Sequence, residues 1–358
     1  VATSNDGVLP LELLYDILLR LPAETLCRFR AVCRSWRSLL SHPDFMAAAR
    51  NPGPLIAVSI KDYLSKNEIT VLDMESGNAV TRVNIATNDL AYAMSHDRVV
   101  CILDPQNRLR LLDPANGDVF LLPDHAPPLG HIFIWCPVGR EASTGEHKVL
   151  VVTTSFTQEL FVCKILTLGL SNGGWRVTGS PPSMVTGAVT VINGVAYFLS
   201  SYAKSNAYRQ IMAFDFNKEA WRSTLDSLRG PANCHCTSLA ELDGHLVACH
   251  ADRLDSIELW FLMDSDRSLW FKRYTINIPG YQTLQTHQPQ MSYTFEYFEK
   301  PLAVLDDGRI VVWMRVLRRG CNVYEGVLRI YNPRTKTFKD GALVPHCNLI
   351  SLFTWNLL

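Results

Sequence analysis

The residues best suited to chemistry form one short cluster, Cys234-His235-Cys236 followed by Cys249-His250. Thiolate sulfur and imidazole nitrogen are preferred ligands of zinc, so this cluster is a candidate metal site. Structural zinc sites usually present Cys-x₂₋₄-Cys pairs that wrap around the ion, whereas a Cys-x-Cys pair on a strand points both thiols to one face. We therefore expect buried cysteines on β-strands, with no metal and no cofactor.

Motifs of known catalytic and nucleotide-binding sites are missing from the sequence. The chain has no Gly-x-x-x-x-Gly-Lys-Ser/Thr or Gly-x-Gly-x-x-Gly loop for phosphate groups, and no Gly-x-Ser-x-Gly elbow or His-Glu-x-x-His helix. Its 34 basic residues balance 34 acidic residues, without the basic face of a nucleic-acid-binding protein. No apolar run approaches the roughly 18 residues that cross a bilayer. We predict a non-catalytic binding protein whose partners are neither nucleic acid nor membrane.

Two stretches rich in aromatic residues are suited to recognising a protein. The longer runs from Tyr281 to Phe298 and mixes aromatic side chains with amides, and the shorter runs from Tyr202 to Tyr208. Aromatic side chains on long loops often carry much of the binding energy of an interface. Alternatively, the longer stretch is a strand with an irregular lead-in. The candidate substrate-binding residues are Tyr202, Tyr208, Tyr281, His287, Tyr293, Phe295 and Tyr297.

Four tryptophans offer a further candidate site, because flat aromatic rings stack on sugars and nucleobases. Trp175, Trp221, Trp270 and Trp313 lie within repeated β-rich segments. We interpret them as residues that pack between sheets, where an indole ring buries a large apolar surface.

The elements that must position these residues change in character after the first fifty positions. From Pro10 to Leu21, apolar side chains recur with the three-and-four spacing of one helix face. A second short helix is predicted over Ala23–Arg30 and a third over Cys33–Ser41. Three helices in about forty residues bury too little apolar surface to be comfortable alone, so a partner or a neighbouring domain should cover the remainder.

Beyond Asn51-Pro52-Gly53-Pro54 the pattern alternates, and short β-rich runs follow one another to the end. A turn led by Asp or Asn, with an aromatic residue six positions later, occurs three times: Asp215–Trp221, Asp264–Trp270 and Asn332–Phe338. Weaker copies begin at Asp73, Asp113 and Gly169. If Pro123–His147 and Asn277–Lys300 are insertions, the unit is about 45 residues, the length of a four-stranded propeller blade.

This repeat predicts an all-β domain with the architecture of a β-propeller of six to eight blades, preceded by a small all-α unit of three helices. A two-sheet β-sandwich is the alternative, although it needs only about half this length. A kelch-type propeller is a second alternative. Kelch blades repeat a glycine pair, and Gly173-Gly174 is the only such pair in the β-rich region.

The helical segment contains rare residue types at fixed spacing. It reads Leu9-Pro10-Leu11-Glu12-Leu13-Leu14, Ile17-Leu18, Arg20-Leu21-Pro22 and Arg28-Phe29-Arg30-Ala31-Val32-Cys33-Arg34-Ser35-Trp36-Arg37. These residues resemble the F-box motif of plant F-box proteins over about forty positions, the size of one small helical unit.

The β-rich segment resembles the F-box-associated β-propeller domain of the same family. The similar segments, in the family's order, are Asn193–Phe198, Ile211–Trp221, Leu242–Leu246, Ile257–Trp260 and Tyr331–Thr335. Phe198 stands where the family usually has Trp. The resemblance implies an F-box helical domain over residues 7–50 and a substrate-recognition propeller over residues 55–358.

The resemblance also implies a function. F-box motifs bind a Skp-family adaptor, which bridges to a cullin–RING ubiquitin ligase, while the C-terminal domain selects the protein to be ubiquitinated. The adaptor-facing candidates are Leu9, Pro10, Leu13, Ile17, Leu18, Leu21, Pro22, Leu26, Val32, Cys33 and Trp36. Alternatives are a stand-alone propeller that binds a small molecule or sugar, and an F-box protein that acts outside a ligase.

The ten cysteines are scattered without a tight framework, and the chain contains no Asn-x-Ser/Thr sequon. Reduced thiols are the simplest account, because disulfides form mainly in secreted proteins. We therefore expect a cytoplasmic and/or nuclear protein.

Overall fold

Two short helices and twenty-five strands make up the described part of the chain in a computed structural model. The residues that the structure describes are 11–19, 29, 32–40, 42, 45, 55–59, 67–72, 79–85, 92–96, 99–103, 108–112, 118–125, 131–155, 161–169, 173–183, 185–200, 210–222, 225, 235–252, 256–278, 295–305, 307–317, 324–344 and 347–352.

The two helices lie where the apolar spacing predicts the first and third helix. Helix α1 spans Leu11–Leu19 and starts directly after Pro10, whose missing N–H costs nothing at a helix start. Helix α2 spans Arg34–Leu40. Apart from Phe29, the predicted second helix lies outside the described residues. Neither described helix is long and apolar enough to cross a membrane.

The described strands form six antiparallel sheets, each built from strands that follow one another in the chain. Sheet 1 contains β1 (Leu55–Ser59), β2 (Asn67–Leu72), β3 (Ala79–Ile85) and β25 (Cys347–Leu352). Sheet 2 contains β4 (Tyr92–His96), β5 (Val99–Leu103), β6 (Leu109–Leu112) and β7 (Val119–Leu121). Sheet 3 contains β8 (His131–Trp135), β9 (Val138–Arg140), β10 (His147–Ser155), β11 (Phe161–Thr167) and β12 (Arg176–Thr178).

The second half of the chain repeats this arrangement. Sheet 4 contains β13 (Val185–Ile192), β14 (Val195–Ser200), β15 (Ile211–Asp215) and β16 (Ala220–Trp221). Sheet 5 contains β17 (His235–Leu242), β18 (His245–Asp252), β19 (Ser256–Asp264) and β20 (Leu269–Asn277). Sheet 6 contains β21 (Phe295–Val304), β22 (Ile310–Leu317), β23 (Tyr324–Asn332) and β24 (Thr337–Val344).

The chain closes into a ring through its last described strand. Strand β25 follows sheet 6 in the chain but pairs antiparallel with β1, so it takes the first position in sheet 1. In the other sheets the first strand in the chain takes the same position, and the first strands of sheets 4, 5 and 6 contact one another in turn. This is a β-propeller, as predicted, and its topology excludes the alternative of a two-sheet sandwich.

Each predicted Asp-led turn, strong or weak, joins the last two strands of one sheet. Asp215 accepts hydrogen bonds from the backbone N–H groups two and three residues later, and Asp264 and Asn332 do the same. The fourth residue after each of them has a positive φ: Glu219 (φ 50°), Ser268 (φ 48°) and Lys336 (φ 58°). The side chain at the start of each turn thus accepts hydrogen bonds from backbone N–H groups that have no partner strand in the sheet.

The core consists of apolar clusters between neighbouring sheets. The cluster between sheets 3 and 4 contains Phe198, Phe214 and Phe216, each fully buried. Three of the four tryptophans pack against such clusters and the fourth, Trp313, is itself 4% exposed, which confirms their interpretation as packing residues.

Two details of the predicted repeat are wrong. The supposed insertion Pro123–His147 contains β8 and β9, because sheet 3 takes its first strand from this segment. The end of the supposed insertion Asn277–Lys300 belongs to β21. Strands β13 and β14 of sheet 4 are joined directly, because Asn193-Gly194 forms a two-residue hairpin turn with positive φ at both positions.

Candidate functional site

The two N-terminal helices combine a small apolar core with apolar side chains on their surface. Leu18, Leu40 and Phe45 are 1–2% exposed and form the core. Leu13 and Ile17, one turn apart on α1, are 48% and 41% exposed, and Val32 before α2 is 65% exposed. Residues four apart lie on the same side of a helix, so Leu13 and Ile17 form one apolar stripe that the described chain leaves uncovered.

Two aromatic pairs pack each described helix against another residue of the N-terminal segment. The rings of Tyr15 and Phe45 meet edge to face with centroids 5.0 Å apart, and those of Phe29 and Trp36 with centroids 4.8 Å apart. Trp36 is half-buried, and part of its ring is covered by Phe29. Edge-to-face pairs are a stable arrangement of aromatic rings.

The structure divides the predicted adaptor-facing residues into three groups. Leu13, Ile17, Val32 and Cys33 lie on the surface. Leu18 lies in the core of the helical unit and Trp36 packs against that core. The remaining candidates, Leu9, Pro10, Leu21, Pro22 and Leu26, lie outside the described residues.

Cys33 caps the start of α2. Its carbonyl oxygen accepts a hydrogen bond from the backbone N–H of Arg37 at 3.0 Å, and its Sγ lies 3.1 Å from the Ser35 hydroxyl oxygen. That hydroxyl, together with the backbone N–H of Trp36, lowers the pKa of the Cys33 thiol.

Connections between strands alternate between two faces of the propeller, because neighbouring strands in each sheet are antiparallel. The first-to-second and third-to-fourth connections, including the Asp-led turns, open on one face. The second-to-third connections and the connections between sheets open on the other, which we call the loop face.

Both predicted recognition stretches are attached at the loop face. Residues 201–209 join β14 to β15, and residues 279–294 join sheet 5 to sheet 6. The strand ends that flank the first stretch are fastened together, since Ser200 N–H donates to the Gln210 carbonyl and Gln210 N–H to the Ser200 hydroxyl, both at 2.8 Å. A rigid base of this kind is how scaffolds position binding loops.

The predicted substrate-binding residues fall into two groups. Tyr202, Tyr208, Tyr281, His287 and Tyr293 lie outside the described residues. Phe295 and Tyr297 lie on β21, the first strand of sheet 6, and not on a loop. The alternative, in which this stretch ends as a strand, is therefore right for its last residues, because they pair with Leu317 and Arg315 of β22.

The candidate zinc cluster is spread over the hairpin of β17 and β18. Cys236 and His250 are Cα partners in this hairpin, whereas Cys249 is buried in the apolar cluster between sheets 5 and 6. Cys234 lies outside the described residues. Among the residues that are described, no group of three His, Cys, Asp or Glu side chains is arranged to hold a metal ion.

Sequence reasoning missed several exposed apolar residues on the third and fourth strands of sheets 2, 3 and 5. They are Val119, Phe120 and Leu121 on β7, Val177 on β12, Met263 on β19, and Leu269 and Phe271 on β20. A signal was available for β7, because side chains alternate along a strand and three consecutive apolar residues cannot all face one core.

Comparison with known proteins agrees with this architecture. Residues 8–47 match the F-box domain, and residues 48–343 match the F-box associated beta propeller domain. An F-box/kelch-repeat protein from Arabidopsis thaliana is 25% identical over 97% of this chain and 82% of its own length. A putative F-box protein from the same plant is 25% identical over 72% of this chain and 69% of its own length.

Solved structures show a more distant likeness. An uncharacterized protein from Listeria monocytogenes EGD-e aligns with a TM-score of 0.41 at 10% identity, covering 82% of each chain. The family models together span both the helices and the ring of sheets, and the second alone covers most of the sequence. The chain belongs to the F-box proteins that carry an F-box associated beta propeller domain.

Proposed function

We propose that this chain is the substrate-recognition subunit of a Skp–cullin–F-box ubiquitin ligase. Its helical unit binds a Skp-family adaptor and through it a cullin–RING ligase, and its propeller holds the protein to be ubiquitinated. F-box domains in general bind such adaptors, and the match over residues 8–47 supports this part of the proposal. The chain itself supplies no catalytic group and acts in the cytoplasm and/or nucleus.

The observation that carries the proposal is the uncovered apolar surface of Leu13, Ile17 and Val32. In the described part of the helical unit, Leu18, Leu40 and Phe45 already form a buried core to which these three side chains do not belong. Fully burying a side chain of this size gains about 1.5–3 kcal/mol, and a protein interface gathers such residues at its centre.

For the substrate, we propose the loop face of the propeller. The strands that border residues 201–209 and 279–294 end at this face, which supports the proposal. Long loops held by a rigid ring are common protein-binding sites. We also infer six blades, because six sheets of four or five described strands close through the pairing of β25 with β1.

Charge placed in the apolar surface tests adaptor binding. The variant Ile17→Asp with Val32→Asp should lose affinity for a purified Skp-type adaptor by roughly 100-fold in calorimetry, because it buries two unpaired carboxylates in the interface. Val177→Asp is the matched control, since it changes a valine on the propeller that is at least as exposed as Val32 (75% against 65%) and should bind normally. Equal binding by both variants contradicts the proposed surface.

Reconstituted ubiquitination separates the remaining possibilities. Adaptor binding without transfer of ubiquitin to any captured protein favours an F-box protein that acts outside a ligase. Failure to bind the adaptor, with a higher melting temperature in the presence of sugars or other small molecules, favours the stand-alone propeller.

A further inference from the structure

Two buried cysteines from neighbouring sheets meet at the boundary between sheets 2 and 3. Cys101 lies on β5 and Cys136 directly follows β8, and their Sγ atoms are 2.7 Å apart. Only 3% of Cys101 and 1% of Cys136 is exposed. The sulfur atoms of a disulfide lie about 2.05 Å apart, so a small movement of the two side chains would bring them to bonding distance.

The surroundings of the pair favour a dithiol over a metal site. Apart from the two cysteines, the buried side chains of the cluster are aliphatic, among them Leu103, Leu109 and Val149. Within the part of the chain that is described, no third ligating group joins the pair. Burial and the neighbouring Cys101 raise the pKa of the Cys136 thiol well above its usual range, so its sulfur carries a proton in the reduced protein.

We propose that Cys101 and Cys136 form a reversible disulfide between sheets 2 and 3 when the protein meets a hydroperoxide. One thiol gives up its proton and attacks the peroxide oxygen, which breaks the O–O bond, releases an alcohol or water and leaves a sulfenic acid. The second thiol attacks that sulfur, forms the S–S bond and releases water. Two thiols are oxidised by two electrons while the hydroperoxide is reduced by two.

The position of the pair explains what this bond does. It closes a loop of 35 residues and adds a covalent link between two sheets that already meet through packed apolar side chains and through the hydrogen bond from Trp175 to the Pro123 carbonyl. Cross-links of this length restrict the unfolded chain, so the oxidised protein is the more stable form. The reaction is slow because the thiols are buried, and a dithiol reductant reverses it by exchange. The bond forms whether or not the chain joins a ligase.

Oxidation of the full-length chain tests the proposal. Hydrogen peroxide is added to the reduced protein, remaining thiols are blocked, and the digest is mapped by mass spectrometry without reduction. The expected product is a linked pair of peptides containing Cys101 and Cys136, with a melting temperature higher by roughly 5 °C that returns to its original value with dithiothreitol.

Matched variants complete the test. Cys101→Ala and Cys136→Ala should lose both the linked peptides and the temperature shift, whereas Cys163→Ala, which changes an equally buried cysteine between sheets 3 and 4, should keep both. If a variant does not fold, the presence or absence of the Cys101–Cys136 linked peptides in the unaltered chain decides whether the proposal holds. Full oxidation without the Cys101–Cys136 link, or a shift that survives Cys101→Ala, overturns the proposal.

Discussion

The indole Nε1 of Trp221, on the last strand of sheet 4, donates a 2.7 Å hydrogen bond to the carbonyl oxygen of Gly179, which follows the last strand of sheet 3. Trp175 makes the same bond one sheet earlier, where its Nε1 donates to the Pro123 carbonyl at 2.9 Å. At these two positions the aromatic residue of the repeat therefore links the outer edge of one sheet to the outer edge of the sheet before it.

Replacing Trp221 with phenylalanine tests this link. Trp221→Phe keeps an aromatic ring against Phe198 and Phe214. It removes the indole N–H, so the Gly179 carbonyl loses this hydrogen bond. We expect a loss of about 1 kcal/mol in the free energy of unfolding for the hydrogen bond, beyond the loss of ring area.

Trp270→Phe is the matched control for this prediction. Trp270 occupies the same position in sheet 5, and its Nε1 has no hydrogen-bond partner among the described residues. Urea denaturation should therefore show a smaller loss for Trp270→Phe than for Trp221→Phe. Equal losses would mean that ring area, and not the hydrogen bond, determines the stability of this position.

Two glycines in equivalent hairpin turns predict unequal effects of the same substitution. Gly194 (φ 73°) and Gly244 (φ 75°) each occupy the second position of a two-residue turn. A Cβ on Gly194 would lie 2.7 Å from the Arg140 carbonyl oxygen in sheet 3, whereas a Cβ on Gly244 meets nothing within 4 Å.

Gly244→Ala should cost about 1 kcal/mol in the free energy of unfolding, because alanine is strained at positive φ. Gly194→Ala should cost about 3 kcal/mol, since the backbone of sheet 3 must also move away. The difference between the two variants, measured by urea denaturation, isolates the contact between sheets 3 and 4. A Gly194→Ala variant as stable as Gly244→Ala would show that the sheets separate without cost.

The sequence predicts those features of the fold that are encoded locally. Asp215, Asp264 and Asn332 bond to backbone groups within three residues, so their turns can be read without knowledge of the rest of the chain. The first strand of sheet 3 was missed because β8 and β9 are short and separated by Cys136-Pro137, so neither shows a clear alternating pattern.

The candidate adaptor surface shows the limit of the helical pattern. Ile17 and Leu18 belong to the same predicted apolar face, yet Ile17 is 41% exposed and Leu18 is buried. A stripe more than 100° wide contains both positions, and only the location of Leu40 and Phe45 decides which of them faces inward. Contacts between distant residues of this kind leave no trace in the spacing of apolar residues.

Lys148, on β10, carries a buried charge at the boundary between sheets 3 and 4. Its side chain is 7% exposed, and its Nζ contacts the carboxylates of Glu141 and, at 2.9 Å, Glu219 in the turn before β16. Burial opposes the charge on Lys148, but the hydrogen bonds to the two carboxylates outweigh this and raise its pKa. Burial likewise opposes the charge on Glu219, and hydrogen bonds from Lys148 and Arg176 nevertheless lower its pKa.

Lys148→Met should lower the free energy of unfolding by about 2 kcal/mol at neutral pH, because it leaves Glu219 partly buried without its main cation. Lys272→Met is the matched control: Lys272 contacts Glu258 at 2.8 Å but is 44% exposed, so its removal should cost about 0.5 kcal/mol or less. Equal costs would show that the boundary between the sheets does not shield the pair from water.

The pH dependence of this difference has a defined sign. The carboxylate with a lowered pKa stabilises the fold above its ordinary value of 4.5, and this contribution is lost as the pH falls through the lowered value. The lysine with a raised pKa stabilises the fold below its ordinary value of 10.5, and this contribution is lost as the pH rises through the raised value. Urea denaturation gives the free energies of unfolding of the unaltered chain and of Lys148→Met at each pH. The difference between them should be largest between pH 4.5 and 10.5 and should become smaller on either side. A gap that stays constant into acid would place the cost of Lys148→Met in packing and not in charge.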